Sequence, residues 1–313
     1  MYKQSVQGIY QKTIDETVKF EGVGLHSGIA SKITIYPGLS DSGIVFKRTD
    51  LTENNLIKAN YKSVSSAKLC TTLQNLYGVK VSTVEHLLAA LYIAEIDNAV
   101  IEIDNEEVPI MDGSAKNFLD ILKKTKIKIQ NKKRKYLKIL DKVELIDGER
   151  TISIEPIKTF FEIDFQLNYE NKIIGKQKNK IDFQNDNLDD VVESRTFCLF
   201  EDIEKIKKLG LAKGGSLDNA VVVDKDKIIN SEGLRNDREF VNHKILDLAG
   251  DFVLSGYRIL GKVTCYQGGH QLSNSFLKKL FESKSSMIEV SINDELISNH
   301  SERNQATKLA AIA

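Results

Sequence analysis

Several things are scarce in this chain of 313 residues: tryptophan is absent, prolines and cysteines number 3 each, and neither sign of charge is in excess, with 44 Lys and Arg against 44 Asp and Glu. A net charge of zero supplies no overall field to draw in nucleic acid or an anionic membrane, so such a partner would need a local patch. A small-molecule partner and no nucleic acid are expected. Cys70, Cys198 and Cys265 are odd in number, far apart and without CxxC spacing, which argues against a disulfide framework and a cysteine zinc cluster and points to a reducing compartment. The opening stretch MYKQSVQGIYQKTIDETVKF has no apolar signal core, and nothing approaches the roughly 18 apolar residues of a membrane span. A cytoplasmic protein without a transmembrane segment is expected.

Hydrophobic residues make up 41% of the chain and charged residues 28% with balanced signs, enough apolar surface for sizeable cores and unlike a disordered chain. The length suits one large or two ordinary domains. The sharpest composition shift is KKTKIKIQNKKRKYLK, residues 123 to 138, with nine Lys or Arg and no acid. Such a run is usually a solvated connection rather than an RNA or anionic-surface contact. The expected division is therefore residues 1–130, residues 131–285 with an insert, and a polar, partly mobile tail, 286–313.

Before the basic run, SKITIYPG and GIVFKR alternate as strands, STVEHLLAALYIAEI has a helical pattern, NAVIEID is a strand and KNFLDILKK a helix. After it, YLKILDKVELI, RTISIEP and FFEIDFQL alternate, REFVNHKILDLAGDFVLSG is helical and RILGKVTCYQ a strand. Both halves run strands, long helix, strand. The likeness of layout suggests duplication, although no short sequence repeat is present.

Histidine is also scarce, at 5 residues, so each position is informative. His243 and Asp247 lie four apart on the second helix, one turn apart on one face, a spacing that two ligands of a metal can use. Asp251 extends the stripe, while Val241, Ile245, Leu248 and Phe252 form a different, apolar face. By itself the pair is more simply a surface helix contact worth a few tenths of a kcal/mol. His86 opens the first helix after Glu85. Ser82-Thr83-Val84-Glu85 matches a capping box, yet His86, His243 and Asp247 would also form a two-His, one-carboxylate set with a free position, as at a catalytic zinc. Glu85 would then stand beside the bound water. His270 lies in YQGGHQLSN at the end of a predicted strand, either a turn residue or a group presented to a ligand. Residues 86 and 243 fall on opposite sides of the basic run, so a shared site must lie between the halves. EGVGLHSG and LGLAKGGSLD match neither dinucleotide nor P-loop signatures.

Together GVGLHSG, STVEHLLAAL, DNAVIEID, VPIMDGSA, SRTF, GGSLDNAVVVD, HKILDLAGD and GGHQLSN, in this order over about residues 20 to 275, resemble the UDP-3-O-acyl-N-acetylglucosamine deacetylases, zinc amidases that commit sugar precursors to lipid A. The resemblance implies an α+β fold of two similar two-layer α/β sandwich domains, of the ribosomal protein S5 domain 2 type, with the active site between them. It implies His86, His243 and Asp247 as ligands of zinc, or of ferrous iron, Glu85 as general base, His270 as general acid and Asp251 as the carboxylate that orients and charges it. Thr196 resembles the oxyanion-holding hydroxyl and Lys244 a diphosphate contact. Asp164 and Phe165 are implied near the nucleotide, Leu25 and Cys70 elsewhere on the substrate, and Phe197, Ile203, Ala212, Ser216, Ala220 and Val222 along an acyl passage. An acylated UDP-amino-sugar substrate and a monomer are expected. The rival readings are a zinc amidase acting on another acylated amine and a zinc-stabilised binding module, which would carry four protein ligands.

Overall fold

A computed structural model of the chain describes residues 9–291. Its helices are α1 (Glu85–Ile93), α2 (Lys116–Lys124), α3 (Asp189–Glu193), α4 (Phe200–Lys208), α5 (Glu239–Val253) and α6 (His270–Glu282). The sheets around them show the duplication that the layout suggested. In the first half, Val18–Val23, Ala30–Pro37, Ala99–Ile103, Ile44–Arg48 and Leu56–Lys58 lie side by side in that order. Their successive pairings are antiparallel, antiparallel, parallel and antiparallel. In the second half, Val143–Asp147, Arg150–Glu155, Arg258–Tyr266, Phe161–Asn168 and Lys176–Asp182 repeat the same succession of pairings. Each half thus lays down four strands, crosses over through a long helix (α1 or α5), inserts its next strand in the middle of the sheet and closes with α2 or α6. This is a pair of similar two-layer sandwiches, as expected.

Strand alternation decides which faces are buried. Phe161, Ile163, Phe165 and Leu167 all point inward from one strand, as do Ile33, Ile35, Ile101 and Ile103 in the first sheet, each such side chain contributing about 1.5–3 kcal/mol by leaving water. The helix layers face one another, with α1 packed against α5. Both faces of α5 are consequently covered: Phe252 meets Phe161 of its own sheet with ring centroids 5.9 Å apart, while His243, Asp247 and Asp251 are buried against the first half. The reading of His243 and Asp247 by themselves as a surface helix contact is corrected by that packing. Gly250 makes the approach possible, because a Cβ there would lie only 2.8 Å from the carbonyl carbon of Glu85 on α1.

The basic run is not a free connection. Its residues Ile127–Lys133 form a strand antiparallel to Tyr10–Ile14, and Arg134 is buried in a double hydrogen bond to Asp97, Nε to Oδ1 at 2.9 Å and Nη2 to Oδ2 at 2.7 Å. Arg258 continues the cluster, its guanidinium 4.1 Å from the centroid of the Tyr92 ring. Past residue 285, Met287–Val290 pairs with Tyr136–Ile139 in the second sheet; the rest of the tail, 292–313, lies outside the described residues. Two small sheets are inserted before the crossover helices, one from Val64–Ser66, Thr72–Gln74 and Lys80–Val81, the other from Phe197–Leu199, Val221–Asp224 and Lys227–Ile228 beside α4. Among the described residues no helix is long and apolar enough to cross a membrane.

Candidate metal centre

The start of α1 and the middle of α5 bring together the side chains singled out in the sequence. The nearest carboxylate oxygen, Asp247 Oδ1, lies 3.4 Å from His86 Nε2 and 3.3 Å from His243 Nε2, and all three residues are buried. His243 Nδ1 sits 3.1 Å from the carbonyl of Ser194. A carbonyl only accepts, so Nδ1 carries the hydrogen and Nε2 presents its lone pair to the cluster. Asp247 Oδ1 is buried with no hydrogen-bond partner among the described residues. An orphaned carboxylate oxygen between two imidazole nitrogens suits a divalent cation and little else, since burying it unpaired is costly. The donor set therefore fits a metal with an open position.

Charge around the cluster is consistent with that use. Burial lowers the His243 pKa to about 3, so its ring is neutral at ordinary pH, as a ligand must be. Asp247 is resisted by burial, but His243, Lys244 and His270 outweigh it and hold the carboxyl well below its usual range. Lys244 Nζ donates to Asp247 Oδ2 at 2.9 Å.

Glu85 and His270 face each other beside the triad, with Glu85 Oε1 3.5 Å from His270 Nε2. Burial raises the Glu85 pKa, despite the opposing histidines. For His270 burial works against protonation, yet Asp251, Glu85 and Asp247 together raise its pKa to about 10. Its Nδ1 lies 3.0 Å from Asp251 Oδ2, leaving Nε2 directed at the cluster. His270 begins α6 rather than ending a strand.

The capping box does not form. Thr83 takes a left-handed conformation, φ 56°, and donates its hydroxyl to Glu107 Oε1 at 2.8 Å, so the helix begins only at Glu85, with no side-chain cap. Ser82 Oγ instead donates to the carbonyl of Glu106, and Glu85 is free to turn its carboxylate into the cluster. Glu107 also accepts the amides of His26 and Ser27 at 2.8 and 2.7 Å, fixing the glycine-rich loop of GVGLHSG. That loop crosses to the second half, where the Leu25 carbonyl accepts from Gly214.

The remaining expected residues are more spread out. Thr196 is held through its backbone, donating to Gly113 and accepting from Val221, both at 2.8 Å, one residue after the buried Arg195–Glu239 ion pair. Phe197 lies near the centre, its ring centroid 6.3 Å from that of His243 and 5.5 Å from Lys244 Nζ. A cavity of about 210 Å³ is lined by Lys244, Phe165, Tyr169, Arg150 and Gln267 among others. Asp164, on the opposite face of the same strand, pairs with Lys178 at 3.2 Å. Ala220 and Val222 are buried, Ile203, Ala212 and Cys70 half-buried and Ser216 exposed. Sequence reasoning passed over Thr71, whose hydroxyl and amide reach Asp251 and Glu85, and over Ser194, Glu107, Gly250 and Arg150. Ser194 acts through a carbonyl, which every residue has, so nothing in its side chain could signal it.

A family model described as UDP-3-O-acyl N-acetylglycosamine deacetylase matches residues 11–282. Proteins named UDP-3-O-acyl-N-acetylglucosamine deacetylase are similar over nearly their whole length. The one from Pseudoalteromonas translucida is 41% identical over 280 residues, 88% of this chain and 92% of that protein. For Shewanella violacea the identity is 42% over 275 residues, 87% and 90% of the two chains, and for Pasteurella multocida 40% over 290 residues, 92% and 95%.

Proposed function

The chain belongs to the UDP-3-O-acyl N-acetylglycosamine deacetylase family, and from that premise we propose that it hydrolyses the acetamide of a UDP-3-O-acyl-N-acetylglucosamine through the cluster between its two halves. The products are acetate and the free amine, the committed step toward lipid A. The observation that carries the assignment is the convergence of His86 Nε2, His243 Nε2 and the unpartnered Asp247 Oδ1 beside the facing pair Glu85 and His270.

His86, His243 and Asp247 are the metal ligands in this reading, and a resident zinc or ferrous ion supplies Lewis acidity, making water acidic near neutral pH and polarising the acetamide carbonyl. Glu85 Oε1 takes the proton of the attacking water. His270, protonated and oriented by Asp251, donates its Nε2 proton to the departing sugar nitrogen, which would leave poorly as an anion. The Thr196 hydroxyl donates to the developing oxyanion. Lys244 and Arg150 present cations to the diphosphate in the cavity where Phe165 offers a ring face, and the segment from Phe197 to Val222 receives the acyl chain. The enzyme works as a cytoplasmic monomer in this reading.

The test pairs substrate turnover with metal content. Glu85→Gln keeps the shape of the side chain but cannot accept the proton, so it should retain metal and lose about 10²-fold or more in kcat, the scale of general-base catalysis. Wild-type turnover by metal-loaded Glu85→Gln on the acylated UDP-sugar would remove Glu85 from the mechanism.

A further inference from the structure

Asp251 has two carboxylate oxygens and both are engaged: Oδ2 accepts from His270 Nδ1 at 3.0 Å, and Oδ1 accepts from the Thr71 hydroxyl at 2.6 Å. The same Thr71 donates its backbone amide to Glu85 Oε2 at 3.1 Å, the oxygen that does not face His270. Thr71 is buried and enters from the small sheet inserted in the first half, immediately before the strand Thr72–Gln74, whereas Asp251 and His270 belong to the second. One residue therefore grips the groups on both sides of the proposed proton path through two different atoms.

We propose, on the acid and base assignments made above, that Thr71 is a positioning residue for the deacetylation: its hydroxyl fixes the rotation of Asp251, and through it the direction of His270 Nε2, while its amide fixes Glu85. The physical need is specific. A carboxylate turns easily about its last torsion, and a single bond to His270 leaves that torsion unfixed. A second, charge-assisted bond at the other oxygen locks it. The branched Cβ of threonine restricts its own rotamers, so the hydroxyl is held toward Asp251 before substrate arrives. Partners of this outer kind set the orientation of groups that touch the reacting atoms.

Thr71→Val removes the hydroxyl and keeps both the shape and the hydrogen bond that the backbone amide donates to Glu85. In metal-loaded enzyme kcat should fall about 10- to 100-fold, the range for lost outer partners, with KM, metal content and Tm close to wild type. Thr71→Ser restores the hydroxyl and should recover most of kcat. In an Asp251→Asn background Thr71→Val should add little further loss, because the two act in series. A wild-type kcat for Thr71→Val, equal losses for Val and Ser, or losses that multiply in the double variant would each overturn the proposal. Should the valine methyl disturb folding, Thr71→Ala repeats the comparison without crowding. A wild-type kcat in Asp251→Asn alone overturns the acid assignment and the proposal with it. A low kcat there, beside an unaffected Thr71→Val, overturns the proposal alone.

Discussion

Replacing Gly250 by alanine separates two effects that usually run together. Inside an exposed helix the change is favourable by up to about 1 kcal/mol, because glycine loses more backbone freedom on folding. At this position on α5 the new Cβ would lie 2.8 Å from the carbonyl carbon and 3.1 Å from the Cα of Glu85, with the carbonyl oxygen closer still. Carbon atoms settle at about 3.5–4.0 Å, and the obstacle is backbone on α1, which cannot swing aside as a side-chain tip can. The helices must therefore part by about 1 Å, at an overpacking cost of about 1–3 kcal/mol that outweighs the helical gain. The displaced segment carries Glu85 and His86, while His243 and Asp247 stay with α5. A misplacement of about 1 Å can cost roughly 10²-fold in rate. Gly250→Ala should accordingly lower Tm, weaken metal binding and reduce kcat by one to two orders of magnitude, read by thermal unfolding, metal titration and turnover on one preparation. A raised Tm with wild-type kcat would show ordinary helix stabilisation at a site with room, and the close-approach argument would be wrong.

Two further outcomes follow from the charge and packing of the site. The His270 pKa is raised to about 10, so its proton is present below that value and lost as pH rises through it; kcat/KM should fall on the alkaline side, from a limb that a cation at the triad moves below about 10. Removing the carboxylate in Asp251→Ala should shift that limb further toward lower pH, and a pH–kcat/KM profile with the limb unmoved would detach Asp251 from the acid. In the proposed acyl passage, Ala220→Phe adds bulk at a buried position and should penalise long acyl chains, whose methylenes are each worth about 0.8 kcal/mol when buried. Equal losses of kcat/KM for long and short chains would place the acyl group elsewhere.

What the sequence reveals and what it hides follow one physical division. Patterns that repeat along the chain were legible: the alternation in Ala30–Pro37, Ile44–Arg48 and Phe161–Asn168, and the helical spacing through Glu239–Val253, all stand as elements close to the expected bounds. The i, i+4 spacing of His243 and Asp247 likewise placed both on one helix face. Apart from the meeting of His86 with His243 and Asp247, which the scarcity of histidine and the ordered motifs pointed to, what depended on a distant segment was not legible. The Lys-rich strand Ile127–Lys133 has little alternation to show, and forms because Tyr10–Ile14, more than 100 residues earlier in the chain, pairs with it. Ser82 and Glu85 satisfy a local capping rule that Glu107, reaching in from beyond the following strand, overrides by holding Thr83. The polar stripe of α5 looks like a solvent face until α1 covers it, and Thr71, with no periodic neighbour to mark it, matters only because Asp251 is across the boundary.

The duplicated architecture explains why the proposed chemistry would sit at that boundary. Neither half holds the whole of the proposed ligand set: α1 brings one histidine and the carboxylate proposed as base, and α5 brings the other histidine and Asp247. A cation bound to the triad thus adds its binding free energy to the docking of α1 on α5, since a ligand held only by the assembled form stabilises that form. The helix pair is at once the packing interface and the site. The same closeness that brings the ligands together leaves no room for a side chain at Gly250. Burial there lowers the His243 pKa and raises that of Glu85, producing a neutral ligand and a carboxylate with greater affinity for a proton. Two surface copies of the same residues, each on its own sandwich, would have neither the metal affinity nor the shifted proton affinities, because both arise from bringing one helix against the other.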